Sequence, residues 1–128
     1  MRVARDLIGE NPAYSGPLRL SNLQNLTTHA IFDAYQANDP MAIAVLEKAV
    51  AYWGMAVGNL VSLFNPEKII FGGGVFGPAA IFLDDILTEA KKWAQPVSIR
   101  KVELNVSMLG GDAGLYGAAC LAMNDKMM

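Results

Sequence analysis

The 128-residue chain carries ten Lys and Arg against twelve Asp and Glu, a net charge of −2, with one cysteine and one histidine. These values exclude a basic nucleic-acid-binding domain, an intrachain disulfide and a structural zinc site of the usual Cys and His ligands. Hydrophobic residues make up 53% and charged residues 17%. An ordinary soluble domain has about 25% charged residues, so part of the apolar surface is expected to lie under a partner subunit or more chain.

Arg2–Ile8 reads as the tail of a helix stopped by Gly9 and Pro12. Residues 11–25 read as a loop, marked by Pro12, Ser15-Gly16-Pro17 and Ser21-Asn22. Thr27 or Thr28 caps a short helix running to about Ala37. Asp39-Pro40 then opens the main helix: Asp39 can accept from the free first-turn amides, and proline suits the first helical position. Apolar residues at Ile43, Leu46, Val50, Trp53, Val57, Leu60 and Phe64 alternate steps of three and four, one continuous helical face. The other side (Ala49, Tyr52, Ala56, Ser62) is only weakly polar, which predicts a helix buried on all sides. Gly54 and Gly58, one turn apart, predict a close backbone approach. Asn65-Pro66 ends the helix. Its apolar stretch, Ala49–Phe64, falls short of the roughly 20 residues a bilayer requires, and no membrane span is expected.

Lys68-Ile69-Ile70-Phe71 reads as a strand from inside a parallel sheet, followed directly by Gly72-Gly73-Gly74. Pro78 starts an amphipathic helix with Phe82, Leu83, Ile86, Leu87, Ala90 and Trp93 on one side, and Gln95-Pro96 ends it. Asp84, Asp85, Glu89, Lys91 and Lys92 form its solvated face. Val102, Leu104, Val106 and Met108 alternate with polar residues, a strand with one wet face. Gly110-Gly111 turn the chain, and Asp112 is expected to cap a last helix from Ala113 to about Met123. Gly114, Gly117, Ala118, Ala119 and Ala122 thin that helix for close packing, and Cys120 reads as a small buried hydrophobe. The order is α-α-β-α-β-α, and the β-α-β part predicts right-handed parallel pairing. Two strands are too few for a stable open sheet, so the class is α/β and the chain reads as a piece of a larger α/β domain.

The strongest chemical signal is the strand–Gly-Gly-Gly–helix junction. Backbone without Cβ atoms lets a flat ring or a phosphate press close; the alternative is a tight turn with no ligand. Gly72, Gly74 and Gly77 also match G-x-G-x-x-G, but the next strand ends in Ser107-Met108-Leu109 instead of a ribose-binding acid, which argues against a dinucleotide fold. Asn59, if buried in the apolar helix, needs a hydrogen-bond partner. His29 reads as a helix-surface residue. No Ser/His/Asp set, paired His ligands or Walker loop is present.

The run from Gly58 through Asn65-Pro66-Glu67 to Gly72-Gly73-Gly74-Val75, followed by Gly111-Asp112-Ala113-Gly114-Leu115-Tyr116-Gly117-Ala118-Ala119, resembles the ROK (repressor, open reading frame, kinase) family of sugar kinases. The resemblance covers nearly the whole chain and is weakest over residues 11–25. It implies the C-terminal part of the second, nucleotide-side domain of a glucokinase-like enzyme with the actin-like, ribonuclease H-like ATPase fold. It further implies that Gly72, Gly73, Gly74 and Val75 pack against the adenosine of ATP, used with Mg²⁺ on a hexose. The helix from Ala113 would lie near the interdomain hinge. The family's phosphate loop, catalytic Asp, sugar-binding residues and zinc cluster have no counterpart here, so the chain is expected to be a fragment that is inactive alone. The single cysteine points to a reducing, cytoplasmic compartment, and charge and the short apolar stretch to neither nucleic-acid nor membrane contact from this segment; the resemblance leaves homodimer formation open. Two other readings stand beside the kinase: the sugar-sensing domain of a ROK repressor and a pure interaction module.

Overall fold

The computed structural model describes residues 2–20 and 26–124. It forms two compact units, residues 1–53 and 54–128. The first holds α1 (Arg2–Glu10), α2 (Pro17–Leu20), α3 (Thr28–Gln36) and the start of α4 (Pro40–Phe64). The second holds the rest of α4, β1 (Lys68–Phe71), α5 (Leu83–Ala90), β2 (Glu103–Val106) and α6 (Ala113–Asn124).

In the first unit, side-chain hydrogen bonds set the element ends. α1 runs past the expected stop at Ile8, and Asn11 closes it by donating from Nδ2 to the Leu7 carbonyl at 2.8 Å. The expected loop contains the short α2; its residues 21–25 lie outside the described part. Arg19 donates to the carbonyls of Pro12 and Tyr14, at 2.6 and 2.9 Å, which ties the irregular stretch down. Thr27 caps α3 by accepting from the Ala30 amide at 3.2 Å. Asp39 caps α4 by accepting from the Ala42 amide at 2.9 Å, as its place before Pro40 predicts. The other Asp39 oxygen accepts the Tyr14 hydroxyl, also at 2.9 Å. Burial, and then the nearby Asp39 carboxylate, raise the Tyr14 hydroxyl above its ordinary pKa, against a lowering pull from the Leu18 amide. Asn38 and Asn65 take positive φ just beyond the ends of α3 and α4, the left-handed conformation that asparagine tolerates at helix ends.

In the second unit, α4 lies close against α5. A Cβ at Gly54 would stand 2.5 Å from the Glu89 Cβ, and one at Gly58 would stand 2.8 Å from the Trp93 Cβ. The close approach expected of these glycines is therefore present. Ser62 Oγ donates to the Gly58 carbonyl at 2.8 Å and accepts from the Gln95 amide at 3.1 Å, fixing the contact. The expected helix from Pro78 begins as a 3-10 turn, Pro78–Phe82, before α5. It ends at Ala90, so Trp93 leaves the apolar side and is half exposed while Ala94 is buried.

Burial of α4 on all sides is not what the structure shows. Val57 and Val61 are buried, but Tyr52, Met55, Leu60, Leu63 and Phe64 are exposed, and so is Asn59. With 25 residues and a mean hydropathy of 1.3, α4 is long and apolar enough to cross a membrane by length and composition. The expectation of no span rests on the apolar stretch Ala49–Phe64 alone, whereas the whole helix meets the length. Its glycine contacts with α5 and its buried valines are those of a core helix.

β1 and β2 pair in parallel, with Phe71 opposite Val106. Ile70 is exposed, contrary to a strand inside a sheet, because it shares with Lys68 the face of β1 that is uncovered among the described residues. α6 is exposed from Gly114 to Met123, Cys120 included, so neither the close packing nor the buried thiol expected there is present. Asp112 makes no side-chain cap among the described residues. It belongs to a 3-10 turn, Gly110–Asp112, and its amide donates to the Leu109 carbonyl, so it does not take the extended conformation an N-cap requires.

Candidate functional site

Two glycine turns leave the same end of the sheet. Phe71 and Val106 are the last paired residues, and the Ser107 amide donates to the Phe71 carbonyl at 2.7 Å. Parallel pairing therefore brings the chain after β1 and the chain after β2 side by side, at the carboxyl ends of the strands. That is where open α/β sheets hold ligands.

Between the turns lies a hollow of about 120 Å³. Gly72, Gly73, Gly74, Phe76 and Gly77 line one side, and Val106, Ser107, Gly110 and Gly111 the other. Three of the four residues singled out from the sequence, Gly72, Gly73 and Gly74, are in the lining. Val75 is exposed next to it and does not line it. The second rim was not singled out as binding: Gly110-Gly111 reads locally as a turn. The signal that could have found it is pairing itself, since two glycine runs that each follow a strand must converge if the strands are parallel neighbours.

The two rims are built alike. Gly73 has φ 85° and ψ 169°, and Gly110 has φ 55°, conformations that a side chain makes costly. On the first rim, the Phe76 amide donates to the Gly73 carbonyl at 3.1 Å. The Phe71 and Phe76 rings, 4.4 Å apart between centroids, brace that turn. On the second, the Gly110 amide donates to the Ser107 carbonyl at 3.4 Å, and the Leu109 amide to Ser107 Oγ at 3.2 Å.

At Gly74 and Gly111 a Cβ would meet nothing within 4 Å, and neither has a positive φ. Neither packing nor backbone conformation demands glycine there. The space a side chain would fill is open to a ligand lying against the main chain. No charged side chain lines the hollow, so it suits an uncharged, flat group better than a phosphate. Magnesium takes oxygen ligands, carboxylates among them, and the lining offers no carboxylate. The lining thus suits an uncharged flat group and does not fit the metal ion.

The fold is α/β, of the actin/hexokinase type found in sugar kinases, and its glycine hollow sits at the end of the parallel strands. The ROK family model matches residues 10–125, and the chain belongs to that family. It is 35% identical over 101 residues to a glucokinase of Halalkalibacterium halodurans, a match covering 79% of this chain and 31% of that enzyme. The chain thus spans about a third of that relative's length. Among solved structures, the ROK family glucokinase of Streptomyces griseus in complex with glucose and AMPPNP superimposes with a TM-score of 0.78 at 28% identity. That match covers 94% of this chain and 40% of the other. A ROK family transcriptional regulator, a homologue of the E. coli MLC protein, superimposes with a TM-score of 0.64 at 26% identity, over 80% of this chain and 26% of the other.

Proposed function

We propose that this chain is the nucleotide-side segment of an ATP-dependent hexose kinase, and that its glycine hollow takes the adenosine. The observation that carries the reading is the convergence of two glycine turns on one hollow at the carboxyl ends of the paired strands. The glucokinase relatives and the glucose–AMPPNP complex support the sugar and the phosphoryl donor. In such an enzyme the segment positions the donor. Phosphoryl transfer is driven mainly by positioning and charge stabilisation, and the lining of the hollow supplies neither a Mg²⁺ ligand nor a base toward the sugar hydroxyl. A cytoplasmic location is part of this reading, and the likeness to sugar kinases supports it. The likeness to the ROK regulator supports a second reading, the sugar-sensing domain of a repressor.

The test is Gly74→Val in the whole kinase. Gly73→Val is a poorer choice, since φ 85° strains any side chain there whatever binds. At Gly74, which lines the hollow, a new side chain meets no neighbour within 4 Å and carries no such strain. The apparent constant for ATP is expected to rise about tenfold or more, a loss of about 1.4 kcal/mol, while the hexose constant stays unchanged. Parental constants for both in a folded variant would leave the turn without a ligand role. Absence of any ATP-dependent turnover in the whole protein would favour the repressor.

A further inference from the structure

Telling adenine from guanine requires a group aimed at the base edge where the two differ. A site built to hydrogen-bond such a group rejects the analogue lacking it by about 10⁴–10⁵. The hollow has little with which to do this. Of its nine lining residues six are glycine, and Phe76 and Val106 are apolar. Ser107 supplies the one polar side chain of the lining. Its oxygen already accepts from the Leu109 amide at 3.2 Å, and its hydrogen and second lone pair let it either donate or accept, so it meets the adenine amino group and the guanine carbonyl oxygen equally well. A donor can meet N7, an acceptor that adenine and guanine share. The amides of Phe76 and Gly110 are occupied by the Gly73 and Ser107 carbonyls. No carboxylate, amide or guanidinium side chain lines the hollow to read the six-position, where one base donates and the other accepts.

Resting on the nucleoside assignment above, we propose that the hollow holds a purine nucleoside by shape, apolar contact and hydrogen bonds that adenine and guanine both satisfy, and accepts guanosine about as well as adenosine. A pyrimidine fills less of the same space, makes fewer close contacts and binds more weakly.

Amide shifts of the isotope-labelled chain, titrated separately with adenosine, guanosine, cytidine and inorganic phosphate, test this. The amides of Gly72, Gly73, Gly74, Gly110 and Gly111 are expected to move with both purine nucleosides, with apparent constants within about threefold of each other. Cytidine is expected to bind more weakly, and phosphate to leave these amides in place. A preference for adenosine of about tenfold or more overturns the inference while the nucleoside assignment stands. Movement with phosphate alone, or with none of the four, overturns both. Gly111→Val, whose side chain enters open space, is expected to weaken both purine nucleosides together. Loss of one alone would reveal a base-specific contact and sink the proposal.

Discussion

At the residue scale the glycines of α4 carry the firmest prediction. A Cβ on Gly58 would lie 2.8 Å from the Trp93 Cβ and 3.3 Å from both the Ala90 carbonyl oxygen and the Ala94 amide nitrogen. Two of these three neighbours are backbone, which cannot swing aside as a side-chain tip can. Gly58→Leu is therefore expected to destabilise by about 1–3 kcal/mol, the usual cost of overpacking, read as a lower denaturant midpoint. An unchanged midpoint would mean that α4 and α5 can separate freely in solution. These contacts were legible from the Gly54/Gly58 spacing in an apolar run, because helix geometry alone puts residues four apart on one face.

At the element scale, the end of α5 is held by Glu89, which accepts from the Lys92 ammonium and, at 3.1 Å, from Trp93 Nε1. The Lys92 contact first, and then Trp93, lower the Glu89 pKa below its ordinary 4.5. A carboxylate lowered in the folded state stabilises the fold above its unfolded pKa, and that contribution disappears as the pH falls through the folded value. Melting temperature should therefore decline as pH drops below about 4.5, and Glu89→Gln should flatten that part of the decline. A variant that declines in parallel with the parent would show that these contacts add nothing. Helix starts were equally local in origin: Thr27 and Asp39 cap where their hydroxyl and carboxylate chemistry predicts. The last cap was not. Asp112 resembles an N-cap in sequence, but a 3-10 turn absorbs it, and such turns differ from caps by backbone angles that composition does not encode. The second rim of the hollow was hidden for another reason. It depends on the pairing of Phe71 with Val106, a contact between residues far apart in the chain.

At the scale of the whole molecule, the apolar excess in the composition becomes visible as surface. Leu63, Ile70, Met108, Leu115, Leu121 and Met123 are all exposed, and the local patterns that made α4 and α6 look buried could not tell which chain would bury them. The hollow, for its part, has no acidic or histidine side chain in its lining and so no general base for a sugar hydroxyl. The purified 128-residue chain is expected to give no hexose phosphorylation in a coupled ATP assay. Turnover that survives repurification would place catalytic groups within this chain. Taken across the molecule, the glycines answer to different masters. Close neighbours hold Gly16, Gly54 and Gly58 in place, and backbone angle holds Gly73 and Gly110. Gly74 and Gly111 are held by neither, as are Gly9, Gly114 and Gly117, but of these five only Gly74 and Gly111 line the hollow, and on the proposed function an occupant keeps those two small. In a lineage that kept the fold but gave up the nucleotide, positions 73 and 110 would stay glycine while 74 and 111 drifted toward alanine and beyond.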